Sequence, residues 1–337
     1  MKKNLFLLML PLLACQLSFA KIWRVNNTGV PADFTTAQAA NDNASVTAGD
    51  TIHFEPSGTS YGDLGLTKRL VIIGNGYFLG SQVTGSNPDL QANPATSSIA
   101  SLLVYAGGSN SVIMGMTFSN VYIGYATAVN NLLFRRNRVL NFITLYNGGS
   151  TNVQVMQCFV DGYINGQSAS HTNVMLANNI VGQGISFDSD DNGTCQNNII
   201  HATGLAYGSG FYNFTLRSNI LVAGSISTLT NCVVENNISY GTQFGNTNGN
   251  QQNIDMSTVF VGYPTQGTNS FDGRFVAKNP GPAIGTGFGS VDCGAYGNTP
   301  AYVKSGIPNV PSIYKLSVPP IVTNNNLGVI ISTKINQ

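Results

Sequence analysis

The chain contains 337 residues with 15 basic and 14 acidic side chains, which gives a formal net charge of +1. Nucleic-acid-binding proteins usually carry a basic stripe, so this near-neutral balance argues against a nucleic-acid partner. No stretch beyond the amino terminus is long and apolar enough to predict a transmembrane span.

The amino terminus has the features of an export signal. A basic pair and an apolar run over residues 2–13 precede Ser-Phe-Ala at 18–20, which offers a small-x-small cleavage site. Residues 1–20 are therefore predicted to be a signal peptide. A competing motif at residues 12–15 resembles a bacterial lipobox and would make Cys15 a lipid-anchored first residue. Both alternatives export the protein, to the extracellular space, the cell surface or the periplasm.

Residues 21–105 are predicted to form an amino-terminal cap and the first coils of a repeat structure. A polar stretch with two threonines precedes Ala-Gln-Ala-Ala at 37–40, which predicts a short capped helix. A cover is expected there because the first coil of a solenoid otherwise exposes its apolar end. Alternating apolar residues predict strands at 50–55, 69–73 and 101–105.

Residues 106–245 contain a repeat of about 21 residues. Each block opens on asparagine and continues with alternating apolar positions, which is typical of a strand with one buried face. A period of this length predicts a solenoid of stacked β-coils. The opening residues are Asn131, Asn152, Asn173, Asn192, Asn213 and Asn231.

The seventh position of each block predicts a buried ladder of amide side chains. Amides stacked at the strand spacing of about 4.8 Å can bond to one another, and a buried amide without partners is costly. Cysteines of the repeat fall two coils apart, about 9.6 Å, so no disulfide is expected among them. The seventh positions are Asn137, Cys158, Asn179, Asn198, Asn219 and Asn237, and the repeat cysteines are Cys158, Cys195 and Cys232.

The densest group of charges is Asp-Ser-Asp-Asp-Asn-Gly at residues 188–193. Alternate oxygens followed by glycine resemble the first half of a calcium loop, so Asp188, Asp190 and Asn192 are candidate Ca²⁺ ligands. Position twelve of such a loop would be Ile199 instead of glutamate. A polar turn between strands explains the same residues and is the alternative.

Alignment of the blocks also places Ser150, His171 and Asp190 in one column, each two residues before a block start. Adjacent coils would hold these residues within reach of a triad-like arrangement. His171, Asp190 and the neighbouring Asp191 are therefore candidate catalytic residues. The alternative is a coincidental grouping on the surface, because the loops between strands make the register loose and no oxyanion hole is recognisable.

Aromatic residues concentrate in the loops before the blocks. Sugar faces stack on exposed rings, and a solenoid offers a long surface for a polymer. Tyr146, Tyr163 and Tyr212 are candidate substrate-binding residues. Phe187 and Tyr207 share the inward register of the repeat and are predicted to be core.

Residues 246–337 are predicted to hold irregular last coils and a carboxy-terminal cap. Two alternating segments, at 313–318 and 327–335, predict a β-hairpin that covers the carboxy-terminal end of the coil stack.

Several motifs carry a resemblance to a known group of proteins. The repeat, Gly-Asp-Thr-Ile at 49–52, Pro-Gly-Pro-Ala-Ile-Gly at 280–285 and Gly-Ala-Tyr-Gly at 294–297 resemble exported right-handed parallel β-helix proteins of Bacteroidota, within the pectate-lyase-like superfamily. The resemblance implies an all-β, right-handed parallel β-helix, here with a helical amino-terminal cap and a carboxy-terminal hairpin cap. That superfamily includes lyases, glycoside hydrolases and adhesins, so the fold does not carry the function.

Two hypotheses about function follow. In the first, the protein binds a carbohydrate polymer and, in the enzymatic variant, processes it as a lyase or glycoside hydrolase, with Ca²⁺ as the one suggested cofactor. In the second, it is a non-catalytic adhesin or cell-surface structural protein. Aromatic loops near an acidic cluster favour the first hypothesis, and the lack of a convincing acid–base set favours the second.

Overall fold

The computed structural model describes residues 20–80, 85–88, 90–201, 209–320 and 327–335. Within these ranges the protein is an all-β solenoid whose coils pair in parallel, which confirms the predicted architecture. No helix in these ranges is long and apolar enough to cross a membrane. The predicted signal sequence up to residue 19, with Cys15, lies outside the described residues, as does Tyr207.

The coils build two long parallel sheets and one short one. Sheet 1 has ten strands: Ile22–Val25, Thr51–Phe54, Val71–Ile73, Val112–Met114, Leu133–Arg135, Gln154–Met156, Val174–Ala177, Gly193–Gln196, Phe214–Arg217 and Val233–Glu235. Sheet 2 has thirteen strands: Leu64–Leu66, Ser98–Val104, Thr117–Ile123, Arg138–Leu145, Phe159–Val160, Tyr163–Gly166, Ile180–Val181, Gly184–Ser186, Ile199–Ile200, Ser209–Tyr212, Ile220–Leu221, Ile226–Thr230 and Ile238–Ser239. Sheet 3 has three strands: Val129–Asn130, Ser150–Thr151 and His171–Thr172.

The interior of the solenoid is the hydrophobic core. Because side chains alternate along a strand, every second position points inward, and these positions are mostly apolar. In sheet 1 the paired residues Phe134, Val155 and Leu176 stack in one such column. Ile143, Ile164 and Ile185 form the matching column in sheet 2. All six side chains are buried.

Each coil turns at two corners where the backbone adopts a left-handed conformation. Asparagine tolerates this conformation better than most other residues that carry a Cβ atom, which explains why asparagine recurs at the corners. Asn192 departs from the pattern: it lies 19 residues after Asn173, and its side-chain oxygen accepts a hydrogen bond from the Asn173 backbone N–H at 2.9 Å. The first corner is at Asn110, Asn131, Asn152, Asn173, Asn213 and Asn231, and the second is at Arg136, Gln157, Asn178, Asn197, Ser218 and Asn236.

The predicted amide ladder is confirmed. Asn179 donates from its side-chain nitrogen to the side-chain oxygen of Asn198 at 2.9 Å, and Asn198 donates in the same way to Asn219 at 3.1 Å. The ladder continues through Asn237, whose amide donates to Asn250 at 3.0 Å. The repeated partners satisfy the buried amides on every coil, as the cost of an unpaired buried polar group requires.

Residues 283–308, here called the strap, run along the outside of the coils in the direction opposite to coil order. Each second-corner residue bonds to the strap, so the strap contacts six successive coils. The amide or guanidinium donors of Asn236, Asn197, Asn178, Gln157 and Arg136 bond to the carbonyl oxygens of Thr286, Asp292, Gly297, Ala301 and Ile307, and Ser218 accepts from the Phe288 N–H.

The predicted hairpin forms, with Pro311–Ser317 antiparallel to Ile330–Ile335. Its predicted position at the carboxy-terminal end of the stack is wrong. The backbone N–H of Ala92, in a loop of the first coils, donates to the carbonyl oxygen of Ile313 at 2.8 Å. The reason is the strap, which returns the chain along the stack and places the hairpin beside the first coils.

The described residues also contain two short helices and three 3₁₀ turns. Helix α1 (Ala37–Asp42) begins at Thr36, whose hydroxyl accepts from the Ala39 N–H, and this confirms the predicted capped helix. Phe244 is buried against the last coil and closes the interior at the other end. The remaining elements are helix α2 (Met256–Val259) and the 3₁₀ turns Ala106–Gly108, Gly273–Phe275 and Lys304–Gly306.

Candidate functional site

Sheet 3 brings together two residues of the predicted triad-like column. Ser150 and His171 are direct partners on adjacent strands. The Ser150 hydroxyl lies 2.8 Å from Nδ1 of His171. Ser150 is 4% exposed and His171 is 0% exposed, because both point into the interior in the column that begins with the buried Val129.

The prediction that Asp190 joins Ser150 and His171 is wrong. Asp190 is exposed, and its neighbour Asp191 turns inward instead. The tight turn accounts for the exchange, because the Asp188 N–H donates to Asp191 Oδ2 at 2.8 Å and closes the turn on that side chain. The other oxygen, Oδ1, accepts from the backbone N–H of His171 at 2.8 Å.

We call Ser150, His171 and Asp191 the interior cluster. Burial favours the neutral forms of its two titratable side chains, Asp191 and His171. Burial raises the pKa of Asp191 to about 6, and the neighbouring charges of Asp190 and Asp188 act in the same direction. The backbone N–H groups of Asp188 and His171 oppose the shift. Burial also lowers the pKa of His171, while nearby backbone carbonyls and the charges of Asp190 and Asp188 oppose that shift.

The geometry of the interior cluster does not assemble a nucleophilic triad. In such a triad the carboxylate orients the imidazole ring and the serine faces the substrate. Here the Asp191 carboxylate bonds to the backbone of His171, and Nε2 of the ring has no hydrogen-bond partner among the described residues. Because Ser150 is buried, it cannot reach a polymer on the surface. The cluster therefore acts as a polar part of the core.

The predicted calcium ligands are not gathered into a cage. The Asn192 side-chain oxygen is engaged by the Asn173 N–H, and the exposed Asp188 and Asp190 belong to the turn. Among the described residues no three histidine, cysteine, aspartate or glutamate side chains converge as a metal site.

A cluster of aromatic rings covers the outer face of sheet 2 and the corner that follows it. We call this cluster the aromatic platform. Every member is half-buried, and the rings contact one another across successive coils at centroid distances of 5.2 to 5.9 Å. Its members are Tyr105, Tyr122, Tyr125, Phe142, Tyr146 and Tyr163.

The coil spacing creates two stacked pairs within the platform. Tyr125 and Tyr146 occupy equivalent positions on adjacent coils, and their planes differ by 10° at 5.5 Å. Phe142 and Tyr163 are direct strand partners and differ by 21° at 5.5 Å. Tyr122 joins the pairs by edge contacts to Phe142 and Tyr146 at 5.2 and 5.6 Å.

The polar residues beside the platform are uncharged. Thr144 and Asn165, at outward strand positions, bond to each other at 2.8 Å. Asn141 donates to the side-chain oxygen of Asn120 at 3.0 Å. The face therefore combines apolar rings, phenolic hydroxyls and neutral amides.

The structure brings together only part of the predicted sugar-binding set. Tyr146 and Tyr163 belong to the platform, whereas Tyr212 lies on the strand Ser209–Tyr212 and makes no ring contact with a described aromatic residue. The sugar-binding residues predicted from the sequence did not include Tyr105, Tyr122, Tyr125 or Phe142. The repeat could have predicted Phe142, because Phe142 precedes Tyr163 by 21 residues and occupies the same outward position one coil earlier. Phe187 is core, as predicted.

A second concave surface lies where the hairpin meets the first coils. This cleft of about 390 Å³ is lined mainly by apolar side chains, including Pro308, Ile313 and Leu316, and by His53. Burial lowers the pKa of His53, so this histidine is neutral at pH 7.

Comparisons with known proteins add no assignment to this geometry. No protein-family model matches the chain, and the searches of curated proteins and of solved structures found no significant match.

Proposed function

We propose that this protein is an exported β-solenoid that binds an uncharged polysaccharide on the aromatic platform. The observation that carries the proposal is the contact network of six half-buried rings across successive coils. Aromatic side chains combine a large apolar surface with few rotatable bonds, so they bind a ligand at low entropic cost.

The surroundings of the rings support a neutral ligand. The exposed amide of Asn141 and the half-buried hydroxyl of Ser186 match sugar hydroxyls. Thr144 and Asn165 are buried and bond to each other, so they support this face from beneath. Arg138, on the strand that carries Phe142, is already paired with Asp161 at 2.9 Å. A polymer rich in carboxylates would find no free cation among the outward residues named here, and its desolvation would be uncompensated.

Binding without processing fits the interior cluster best. Ser150, His171 and Asp191 are buried and bond to one another or to the backbone. The exposed acidic residues Asp188 and Asp190 lie in one turn, without an evident distal carboxyl partner. These features support a binding protein over a lyase or glycoside hydrolase.

A second candidate function is a cell-surface structural protein or adhesin that binds no glycan. The stacking of Tyr125 on Tyr146 favours it, because stacked rings occupy part of one another's faces and stabilise the coils by themselves.

A glycan array followed by analysis of reaction products separates these functions. We expect retention of neutral polysaccharides, weak retention of uronic-acid polymers, and no shortening of the bound chains. Shortened or unsaturated products would show that the protein is an enzyme. The absence of binding to every glycan would favour the structural role.

A further inference from the structure

The first strand of the solenoid lies against a buried carboxylate. Asp50 is 3% exposed. Its Oδ1 atom accepts a hydrogen bond from the backbone nitrogen of Lys21 at 2.9 Å. Its Oδ2 atom accepts from the indole N–H of Trp23 and the backbone N–H of Thr47, both at 2.9 Å.

Asp50 has donors but no cationic partner. The ion pairs between described residues involve Glu55, Asp161 and Glu235, and none involves Asp50. The Lys21 ammonium lies 3.2 Å from the centre of the Trp23 ring, and the Lys68 ammonium bonds to two backbone carbonyls, so both are engaged elsewhere. Burial acts to raise the pKa of Asp50, but the hydrogen bonds from Thr47, Trp23 and Lys21 lower this pKa overall. The carboxylate is therefore ionised at neutral pH, and a cation beside it would add to these bonds.

The backbone atom that contacts Asp50 belongs to the residue that would become the new amino terminus. Lys21 follows the predicted cleavage site at residues 18–20. Ala20 and Lys21 are exposed, so the peptide bond between them is accessible. The Lys21 carbonyl accepts from the Thr51 N–H at 2.8 Å, which holds the Lys21 nitrogen in place beside Asp50.

We propose that cleavage of the Ala20–Lys21 bond by a leader peptidase creates the missing cation, and that the α-ammonium of Lys21 then forms an ion pair with Asp50. Water adds to the Ala20 carbonyl carbon and the C–N bond breaks. The new carboxylate stays on the leader, and the released nitrogen becomes an ammonium group. The hydrogen bond at 2.9 Å from a neutral amide N–H to the carboxylate becomes a bond between an ammonium and the carboxylate, which adds the attraction between two opposite charges.

Leader removal therefore completes the first coil. The uncleaved chain presents only an amide N–H to Asp50, and the processed chain presents a positive charge. An α-amino group ordinarily titrates near pH 8, and Asp50 raises that pKa while the positive charges of the Lys21 side chain, Lys68 and Arg69 oppose the shift. The stability from this ion pair is complete below about pH 8 while Asp50 is ionised, and it is lost as the pH rises through the raised pKa of the α-amino group.

Two chains that differ only at the amino terminus test the proposal. One begins at Lys21 with a free amino group, and the other carries a Gly-Ser-Ala extension before Lys21. We expect the first chain to melt several degrees higher at pH 6.5, and the difference to vanish near pH 10.5. The Asp50→Asn variant of both chains is the matched control and should melt at equal temperatures.

Equal melting temperatures of the two Asp50 chains at pH 6.5 would overturn the ion pair. If the Asp50→Asn chains do not fold, the two chains that keep Asp50 still test the ion pair, because the difference between their melting temperatures should be present at pH 6.5 and absent near pH 10.5. The cleavage position is tested separately by mass spectrometry of the exported protein. A mature chain beginning at Lys21 is expected, and one beginning at a lipidated Cys15 would overturn the proposal.

Discussion

The side-chain nitrogen of Asn198 donates to the side-chain oxygen of Asn219 on the next coil at 3.1 Å. The side-chain oxygen of Asn198 in turn accepts from both the backbone N–H and the side-chain amide of Asn179, at 3.0 and 2.9 Å. One buried amide therefore ties three coils together.

Asn198→Leu should destabilise the protein by roughly 2–4 kcal/mol, because two donors of Asn179 and the carbonyl of Leu176 lose their partner. Urea denaturation measures the loss. Asn141→Leu is the control, because Asn141 is exposed and bonds only on the surface. Equal midpoints for the two variants would contradict the role of the ladder.

Asn178→Gly should loosen the strap. Asn178 donates to the carbonyl oxygens of Ala295 and Gly297, and glycine keeps the left-handed backbone while removing both bonds. We expect faster hydrogen exchange at the Gly294 and Tyr302 amides and a loss of about 2 kcal/mol in the free energy of unfolding.

Asn173→Gly is the matched control for the strap, because Asn173 has nearly the same backbone conformation but its side chain makes only a 3.3 Å bond on the surface. Equal hydrogen-exchange rates of the strap amides in the two glycine variants would show that the Asn178 side-chain bonds do not hold the strap in place.

Asp191 should make the protein less stable as the pH rises from about 4 to about 6. The pKa of its carboxyl is 3.8 in the unfolded chain and about 6 in the native protein, so the native state binds more protons in this window. The contribution is complete below pH 3.8 and is lost as the pH passes about 6, and it amounts to about 3 kcal/mol.

Subtracting the stability of the Asp191→Asn variant at each pH isolates this effect. The subtraction is needed because the lowered pKa of His171 acts in the opposite sense and destabilises the protein as the pH falls below 6.5. A difference between variant and wild type that does not change from pH 4 to pH 7 would show that Asp191 is not buried as described.

Cys158 and Cys195 should resist alkylation in the folded protein and react completely after unfolding without a reductant. Both thiols are free and buried, and burial raises the pKa of each to about 12, so little thiolate exists at pH 8. Mass spectrometry counts the labels. Detection of a disulfide between any two of Cys158, Cys195 and Cys232 would mean that the coil register is wrong.

The sequence predicts the solenoid well because its determinants are local and periodic. The recurring asparagines reflect two needs of each coil, a left-handed corner at Asn152 and a buried amide at Asn179, and both are visible in one sequence. The position of the hairpin is not visible, because it depends on long-range bonds such as Arg136 to Ile307, 171 residues apart.

The candidate site is predictable only in part for a similar reason. Block alignment placed Ser150 beside His171 correctly, since both lie on paired strands. It chose Asp190 over Asp191 because the turn at Asp188 decides which carboxylate faces inward, and turn conformation does not follow the strand register. Tyr146 and Tyr163 were predicted because both precede an asparagine block, where the aromatic residues concentrate.

The most direct test of the central claim is the affinity of the platform for a neutral polysaccharide, measured by titration calorimetry. We expect the Tyr146→Ala/Tyr163→Ala double variant to bind at least about tenfold more weakly than wild type, a change of about 1.4 kcal/mol. Tyr212→Ala should bind like wild type, because Tyr212 lies apart from the platform. Unchanged binding by the double variant, with its fold intact by circular dichroism, would contradict the account.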